Sequence, residues 1–191
     1  MTSVKIICPG YLRKEDGVVQ EAHSTATLVT APDALVVVDT SSRRYRDRLL
    51  DGLSELGVRP EEVDIVVITH THHDHIGNVD LFTRATKLAR AEERPPAGFR
   101  AVEEEMELVP GVRLIHTPGH TEGSMSVVVR ADDAVYAIAG DALPTRDNHD
   151  RWVPPGLHYD ADLALASMGR IARAADIIVP GHGEPFPPRH R

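Results

Sequence analysis

Several things are scarce in this sequence, and each shortage excludes a class of protein. One cysteine, Cys8, stands among 191 residues, so no intrachain disulfide can form and a disulfide-stapled scaffold is excluded. A lone thiol packs as a small hydrophobe, and Cys8 is expected to be buried. Aromatic residues amount to only 4%. The core must therefore come from Val, Ile, Leu and Ala, within a hydrophobic content of 41%. No apolar run approaches the ~20 residues of a membrane span. The first ten residues hold one Lys and a short apolar run cut by Pro9, unlike a secretory leader. The expectation is a soluble, cytoplasmic chain with no membrane partner. There are only three Lys, and the formal charge is −8; a polyanion binder needs clustered cations, so nucleic acid is not the expected partner. Gly-x-Ser-x-Gly and a Walker-type phosphate loop are both missing, which removes the serine nucleophile elbow and the P-loop.

The length suits a single domain over 1–191, or one domain built from two similar halves. Val4–Ile7 reads as a strand and 10–17 as a turn-rich loop. Thr25–Ala31 and Ala34–Thr40 read as strands joined by Pro32-Asp33. Tyr45, Leu49, Leu53 and Leu56 recur at helical spacing, predicting a helix over 43–56 that Ser41 or Ser42 caps and Gly57 stops. Asp64–His70 is expected as a strand, 78–83 as a short helix, Thr86–Ala91 as a strand and 92–101 as a loop. The acids Glu103–Glu105 read as a solvated face before a hairpin around Pro110-Gly111. The first pattern then returns. Ser126–Ala131 and Ala134–Ala139 are strands, Asp160 or Asp162 caps a helix to about 175, and Asp176–Pro180 is a strand. His23, Asp39 and His70 hold the same places in the first unit as His120, Asp141 and His182 in the second. This predicts an internal duplication, strand-strand-helix-strand, and with it an α/β (α+β) chain folded as a four-layer αββα sandwich.

The chemistry concentrates after Ile65–Ile68, in His70-Thr71-His72-His73-Asp74-His75. Four metal-type side chains fall within six residues where a buried strand ends. His70 and His72, two apart, can turn towards one ion. Asp74 and His75 can face a second, at the roughly 3.5–4 Å separation of two-metal hydrolytic sites. His73 is the spare imidazole, facing solvent or supporting a ligand. Three more candidates lie in glycine-bearing turns after apolar strands: His120 in Thr117-Pro118-Gly119-His120-Thr121, Asp141 after Gly140, and His182 in Pro180-Gly181-His182-Gly183. Imidazole and carboxylate donors without thiolate suit Zn²⁺ first, and also Fe or Mn. His23, His116, His149 and His158 are read as surface or packing residues. The 143–159 connection, with Trp152 and Tyr159, is either a substrate-contacting loop or a plain surface loop. Arg146 and Arg151 are the first basic residues after Asp141, and could clamp one carboxylate of a small substrate.

These pieces, with Val38-Asp39-Thr40, resemble the metallo-β-lactamase-fold hydrolase superfamily over essentially the whole chain. The resemblance implies two divalent metal ions, one taking His70, His72 and His120, the other Asp74, His75 and His182, with Asp141 bridging. Asp39 resembles the family's strand-end aspartate, which orients a ligand rather than binding metal. The implied activity is hydrolysis by a metal-bound hydroxide, with Asp74 as catalytic residue holding the attacking oxygen and relaying its proton. The expected partner is a small-molecule ester, thioester or lactone, and a homodimer is left open. Two alternatives share the fold: an iron persulfide-type dioxygenase using His72, His120 and Asp141, and a phosphodiesterase or ribonuclease. The nucleases' extra binding insertions have no room here, and the nine residues after His182 leave none for the helical substrate domain of glyoxalase II-type enzymes.

Overall fold

The computed structural model describes residues 1–189. Its first half holds β1 (Ser3–Cys8), β2 (Tyr11–Glu15), β3 (Val18–His23), β4 (Ala26–Ala31), β5 (Ala34–Val38), α1 (Arg46–Glu55), β6 (Ile65–Val67), α2 (His73–Ile76), β7 (Thr86–Arg90) and β8 (Phe99–Val102). The second holds β9 (Met106–Val109), β10 (Val112–His116), β11 (Met125–Arg130), β12 (Val135–Gly140), α3 (Arg146–Arg151), α4 (Ala161–Ala174) and β13 (Ile177–Pro180). One sheet is ordered β1-β4-β5-β6-β7-β8, the other β13-β12-β11-β10-β9, and β2 pairs with β3 alone.

The two-residue period of the strands assigns the layers. In β5, Val36 and Val38 enter a core that also takes Val127, Val129 and Ile138 from the other sheet. Val37, between them, faces the opposite way and packs with Leu49 and Leu53 of α1. On the second sheet Ala137 and Ala139 meet Met168 and Ile171 of α4, while Ile138 faces inward. Helix, sheet, sheet, helix is the result, as expected. The duplication is equally plain in the ladders. β4 pairs antiparallel with β5, and β5 parallel with β6 after α1. β11 pairs antiparallel with β12, and β12 parallel with β13 after α4.

Four expectations change. The 10–17 stretch is a hairpin, not a loop: β2 and β3 turn at Asp16 and Gly17, both at positive φ (50° and 80°). Asp-Gly is a strong hairpin signal, but the exposed strands Tyr11–Glu15 and Val18–His23 lack the alternation of a half-buried sheet. Residues 99–102 add β8, a parallel edge strand paired with β7. The helix over 43–56 opens as a 3-10 turn at Arg43–Tyr45, and neither Ser42 nor Tyr45 makes a side-chain cap. Its stop does follow Gly57, whose N–H and that of Val58 return to Ser54 and Leu53. Asp160 caps α4 as expected, accepting from Leu163 N–H at 2.9 Å.

Glu105 is no solvated acid. It binds both terminal nitrogens of Arg170 on α4 and accepts from His116 N–H at 3.0 Å. The Arg170 guanidinium, against the opposing effect of burial, holds its carboxyl down from 4.5 to about 2. A depressed carboxylate contributes stability above its unfolded pKa and loses it as pH falls through the window from 4.5 towards 2. Arg170 is 41% exposed on its side chain, so solvent screening reduces the contribution to about 1–2 kcal/mol. Glu105→Gln should lower the unfolding free energy from urea titration at pH 7 by that amount, and the midpoint with it. The difference from the parent should shrink towards pH 3; an unchanged gap would refute the ion pair's role.

No helix among the described residues is long and apolar enough to cross a membrane.

Candidate metal centre

The β6 ladder ends early because its next donor finds a side chain. Ile68 N–H still reaches Leu88 O at 2.9 Å, but Thr69 N–H turns to Asp39 Oδ1 at 2.8 Å. The chain therefore leaves the sheet at His70 and winds into α2, where the His75 and Ile76 N–H groups close on His72 O. In the second half, His120 follows β10, Asp141 follows β12 and His182 follows β13. The same end of each sheet thus feeds one seam.

All seven candidates meet there. His70 Nε2 and His120 Nε2 each lie 3.0 Å from His72 Nδ1. Asp74 Oδ2 lies 3.6 Å from His182 Nε2 and 4.0 Å from His75 Nε2. Asp141 divides its carboxylate between these triads: Oδ1 is 3.2 Å from His182 Nε2 and 3.4 Å from His75 Nε2, and Oδ2 is 3.5 Å from His120 Nε2. Within each triad the donor atoms fall within 4.8 Å of one another. Two close approaches make this room. A Cβ on Gly181 would meet Asp141 Oδ1 at 2.0 Å, and one on Gly140, at φ 51°, would meet Thr69 Oγ1 at 2.4 Å.

The outward nitrogens settle which ring atoms face the seam. His75 Nδ1 bonds Asp39 Oδ2 at 2.7 Å, His120 Nδ1 bonds Leu157 O at 2.7 Å, and His182 Nδ1 bonds His23 O at 2.9 Å. His70 Nδ1 lies 3.2 Å from Thr69 Oγ1, whose own hydroxyl donates to Asp39 Oδ2 at 2.8 Å. Carbonyl and carboxylate acceptors keep the proton on Nδ1 and leave Nε2 with its lone pair. Lone pairs and carboxylate oxygens then converge without enough protons to satisfy them. His75 Nε2 and Asp141 Oδ1 are buried and, among the described residues, have no hydrogen-bond partner. Such orphans are costly unless a cation lies between them. The donor set therefore fits divalent ions.

The carboxylates favour positive charge in the seam, whether a cation or a proton on His75 Nε2. Burial and the neighbouring His75 keep His70 well below the ordinary range for histidine. Burial also disfavours charge on His75, but Asp39 and Asp141 overcome it and hold this imidazole well above the ordinary value. Asp141, despite burial, is held well below the ordinary carboxylate range by His182 and His75. The cluster attracts positive charge at one end and resists it at the other.

Other expectations meet mixed outcomes. Asp39 orients His75, as the resemblance implied, from a left-handed backbone at φ 57°. His73 is exposed. His23 is not among the converging side chains; its ring is buried and stacked on Tyr45 at 3.6 Å, and only its carbonyl serves the site. His149 is buried against Phe186 and Trp152. Arg146 and Arg151 do not form the expected clamp: they pair along α3 with Asp150 and Asp147. The 143–159 connection is more than a surface loop, since it supplies the Leu157 carbonyl and ties Tyr159 N–H to Gly119 O at 2.7 Å. Sequence reading also missed Glu93, half-buried between Thr71 and Thr121. It lies in a stretch read as loop, and nothing local marks it.

Comparison with known proteins gives the same answer as the geometry. The family model described as "Metallo-beta-lactamase superfamily" matches residues 20–106 and 89–182. A probable metallo-hydrolase of Methanocaldococcus jannaschii is 35% identical over 94% of this chain and 86% of its own. Metallo-beta-lactamase domain-containing protein 1 of Xenopus laevis is 33% identical over 96% of this chain and 81% of its own. Ile76-Gly77-Asn78 and Gly183-Glu184-Pro185-Phe186 are the phrases that look like that protein. The structure of a putative metallo-beta-lactamase from Thermotoga maritima superimposes with a TM-score of 0.81 at 23% identity, covering 98% of this chain and 99% of that one. A B. thuringiensis AiiA structure with N-decanoyl-L-homoserine at its active site gives 0.74 at 20% identity, over 90% and 87%. With matching halves, ligand-bearing strand ends and these relatives, the chain belongs to the metallo-beta-lactamase superfamily.

Proposed function

We propose that the chain is a hydrolase working with two divalent ions, zinc ahead of iron or manganese, on a small ester, thioester or lactone. The observation supporting this most is the Asp141 carboxylate, with one oxygen against each triad. A carboxylate so placed neutralises two cations at once. His70, His72 and His120 would hold one ion, and Asp74, His75 and His182 the other. Bound there, divalent ions polarise the acyl oxygen and make water more acidic. Asp74 is the more open of the two carboxylates, at 23% side-chain exposure against 12% for Asp141. Its Oδ2 can take a proton from the attacking water and return it to the leaving oxygen or sulfur. Water adds its oxygen to the acyl carbon, the acyl–oxygen or acyl–sulfur bond breaks, and the leaving group departs protonated.

The substrate class rests on charge and on similarity. Tracking a phosphodiester polymer takes Lys and Arg beyond the metals. Here Arg146 and Arg151 are already engaged along α3. An acyl substrate needs only a polarised carbonyl and a nucleophile. Proteins named N-acyl homoserine lactonase are among the similar ones, including one from Bacillus sp. at 29% identity, which favours acyl hydrolysis. In a panel of aryl ester, thioester, γ-lactone and phosphodiester, zinc- or manganese-loaded protein should hydrolyse at least one acyl compound. Asp74→Ala and His120→Ala should each lower kcat/KM by about 10²-fold or more. Phosphodiester cleavage with no acyl hydrolysis would refute the substrate class. One iron per chain with oxygen consumption would refute hydrolysis itself.

A further inference from the structure

Each triad takes ligands from both halves of the fold, yet the two are fastened differently. Main chain ties down the triad of Asp74, His75 and His182. Ser24 N–H bonds Asp74 O at 3.1 Å, Thr40 N–H bonds His75 O at 2.7 Å, and Thr25 N–H bonds Gly181 O at 2.7 Å. The acceptor for His182 Nδ1 is likewise a carbonyl, that of His23. No substitution short of proline removes these groups.

In the triad of His70, His72 and His120, main chain holds His120, through Tyr159 N–H to His120 O at 3.1 Å and His120 Nδ1 to Leu157 O at 2.7 Å. Among the described residues, however, a single main-chain bond, Met125 N–H to Thr69 O at 3.0 Å, ties the His70–His72 segment to the second half. Beyond it, apart from the ligand nitrogens themselves, a single side chain joins the two loops among the described residues. Glu93 follows β7, outside both ligand loops. Its Oε2 accepts Thr71 N–H at 2.9 Å and Thr71 Oγ1 at 3.1 Å. Its Oε1 accepts Gly123 N–H at 3.0 Å and the Thr121 hydroxyl. Thr71 lies between His70 and His72, and Thr121 follows His120. A Cβ on Gly123 would meet Glu93 Cγ at 2.8 Å, so the loop is shaped around this carboxylate.

We propose that Glu93 is the positioning residue of the three-histidine triad, fixing the distance between the His72 and His120 loops through its two oxygens. This rests on the two-ion reading above. A charged acceptor is required, not merely a side chain of that shape. Each oxygen faces a backbone N–H, so in Glu93→Gln the amide NH₂ must point at an N–H whichever way it is turned. The substitution is isosteric but leaves a donor against a donor, which prises one loop away. Residues supporting a metal ligand in this manner are worth about 10–100-fold in metal affinity.

The test is a Zn²⁺ titration of metal-free protein against a chromophoric chelator, with His120→Ala and His182→Ala assigning each binding step to its triad. Glu93→Gln should weaken the step that His120→Ala removes by about 10–100-fold. The step that His182→Ala removes should weaken by a clearly smaller factor, passed on only through the shared Asp141. Thr121→Val, which deletes one of Glu93's partners, should shift the same step in the same direction by a smaller factor, and decides the matter should Glu93→Gln not fold. Equal weakening of both steps, or of neither, would overturn the positioning role. Wild-type protein that takes up no Zn²⁺ would overturn the two-ion reading and this inference with it; wild-type uptake with an indifferent Glu93→Gln overturns this inference alone.

Discussion

Replacing Asp141 by Ala is expected to take bound metal from about two ions per chain to near none, and hydrolysis should fall by about 10³-fold or more. That loss corresponds to about 4 kcal/mol of transition-state stabilisation. The reason is geometric. Asp141 Oδ1 serves His75 and His182, and Oδ2 faces His120, so one truncation removes an anion from both triads and leaves two neighbouring cations to repel each other. Elemental analysis after gel filtration, read beside the rate on the responsive acyl substrate, checks it. His73→Ala is the control; its side chain is exposed, and both metal content and rate should stay within about twofold. If Asp141→Ala retained two ions, the bridge would be wrong. If His73→Ala emptied a site, the assignment within His70–His75 would be wrong.

Asp39→Ala should be the most damaging change at a residue that would touch neither ion. Its carboxylate accepts Thr69 N–H, the Thr69 hydroxyl and His75 Nδ1. All of these are buried. Truncation leaves them without an acceptor, at about 1–3 kcal/mol for each such group, with partial recovery by relaxation. A net loss of about 3 kcal/mol in the metal-free protein is expected by urea unfolding. Affinity at the His75 triad should fall by a further 10–100-fold or so, since only the Thr69 hydroxyl, at 3.4 Å from Nδ1, is then left to fix that ring's tautomer. Asp39→Asn should be milder in stability, because asparagine tolerates the left-handed backbone at φ 57° and keeps one acceptor. Full stability in Asp39→Ala would show that the three bonds contribute nothing net.

The sequence was most legible where geometry is local. His70 through His75 could be read because a strand end and two-residue spacing already limit where side chains point. The halves could be read because Asp39 and Asp141 each close an apolar hairpin of similar length. Hidden were the parts decided by distant main chain. The carbonyls of Leu157 and His23 orient His120 and His182, and any residue type has a carbonyl. Glu93 carries an ordinary acidic side chain whose role depends on a turn 28 residues away. Arg146 and Arg151 misled because nearness in sequence to Asp141 is not nearness to the seam. Four residues away along α3, each finds an aspartate instead: Asp150 ahead of Arg146 and Asp147 behind Arg151. The hairpin β2–β3 was missed for a third reason: apart from its His23 end it is largely exposed, so little hydrophobic pattern is imposed on it.

Because each triad borrows one histidine from the second half, His120 or His182, neither half alone presents a full set of donors. Mass action follows from that division. Any ion that binds the assembled seam and not the separated halves adds RT ln(1 + [M]/Kd) to their association, about 2.7 kcal/mol per site at a hundredfold excess over Kd. Two such increments are comparable with the whole stability of many small domains. On the two-ion proposal, free metal concentration would set how tightly the two sheets are clasped. A chelator would then act on this chain as a mild denaturant as well as an inhibitor, and proteolytic nicking of the 102–106 link between β8 and β9 would open the molecule only after the ions had left.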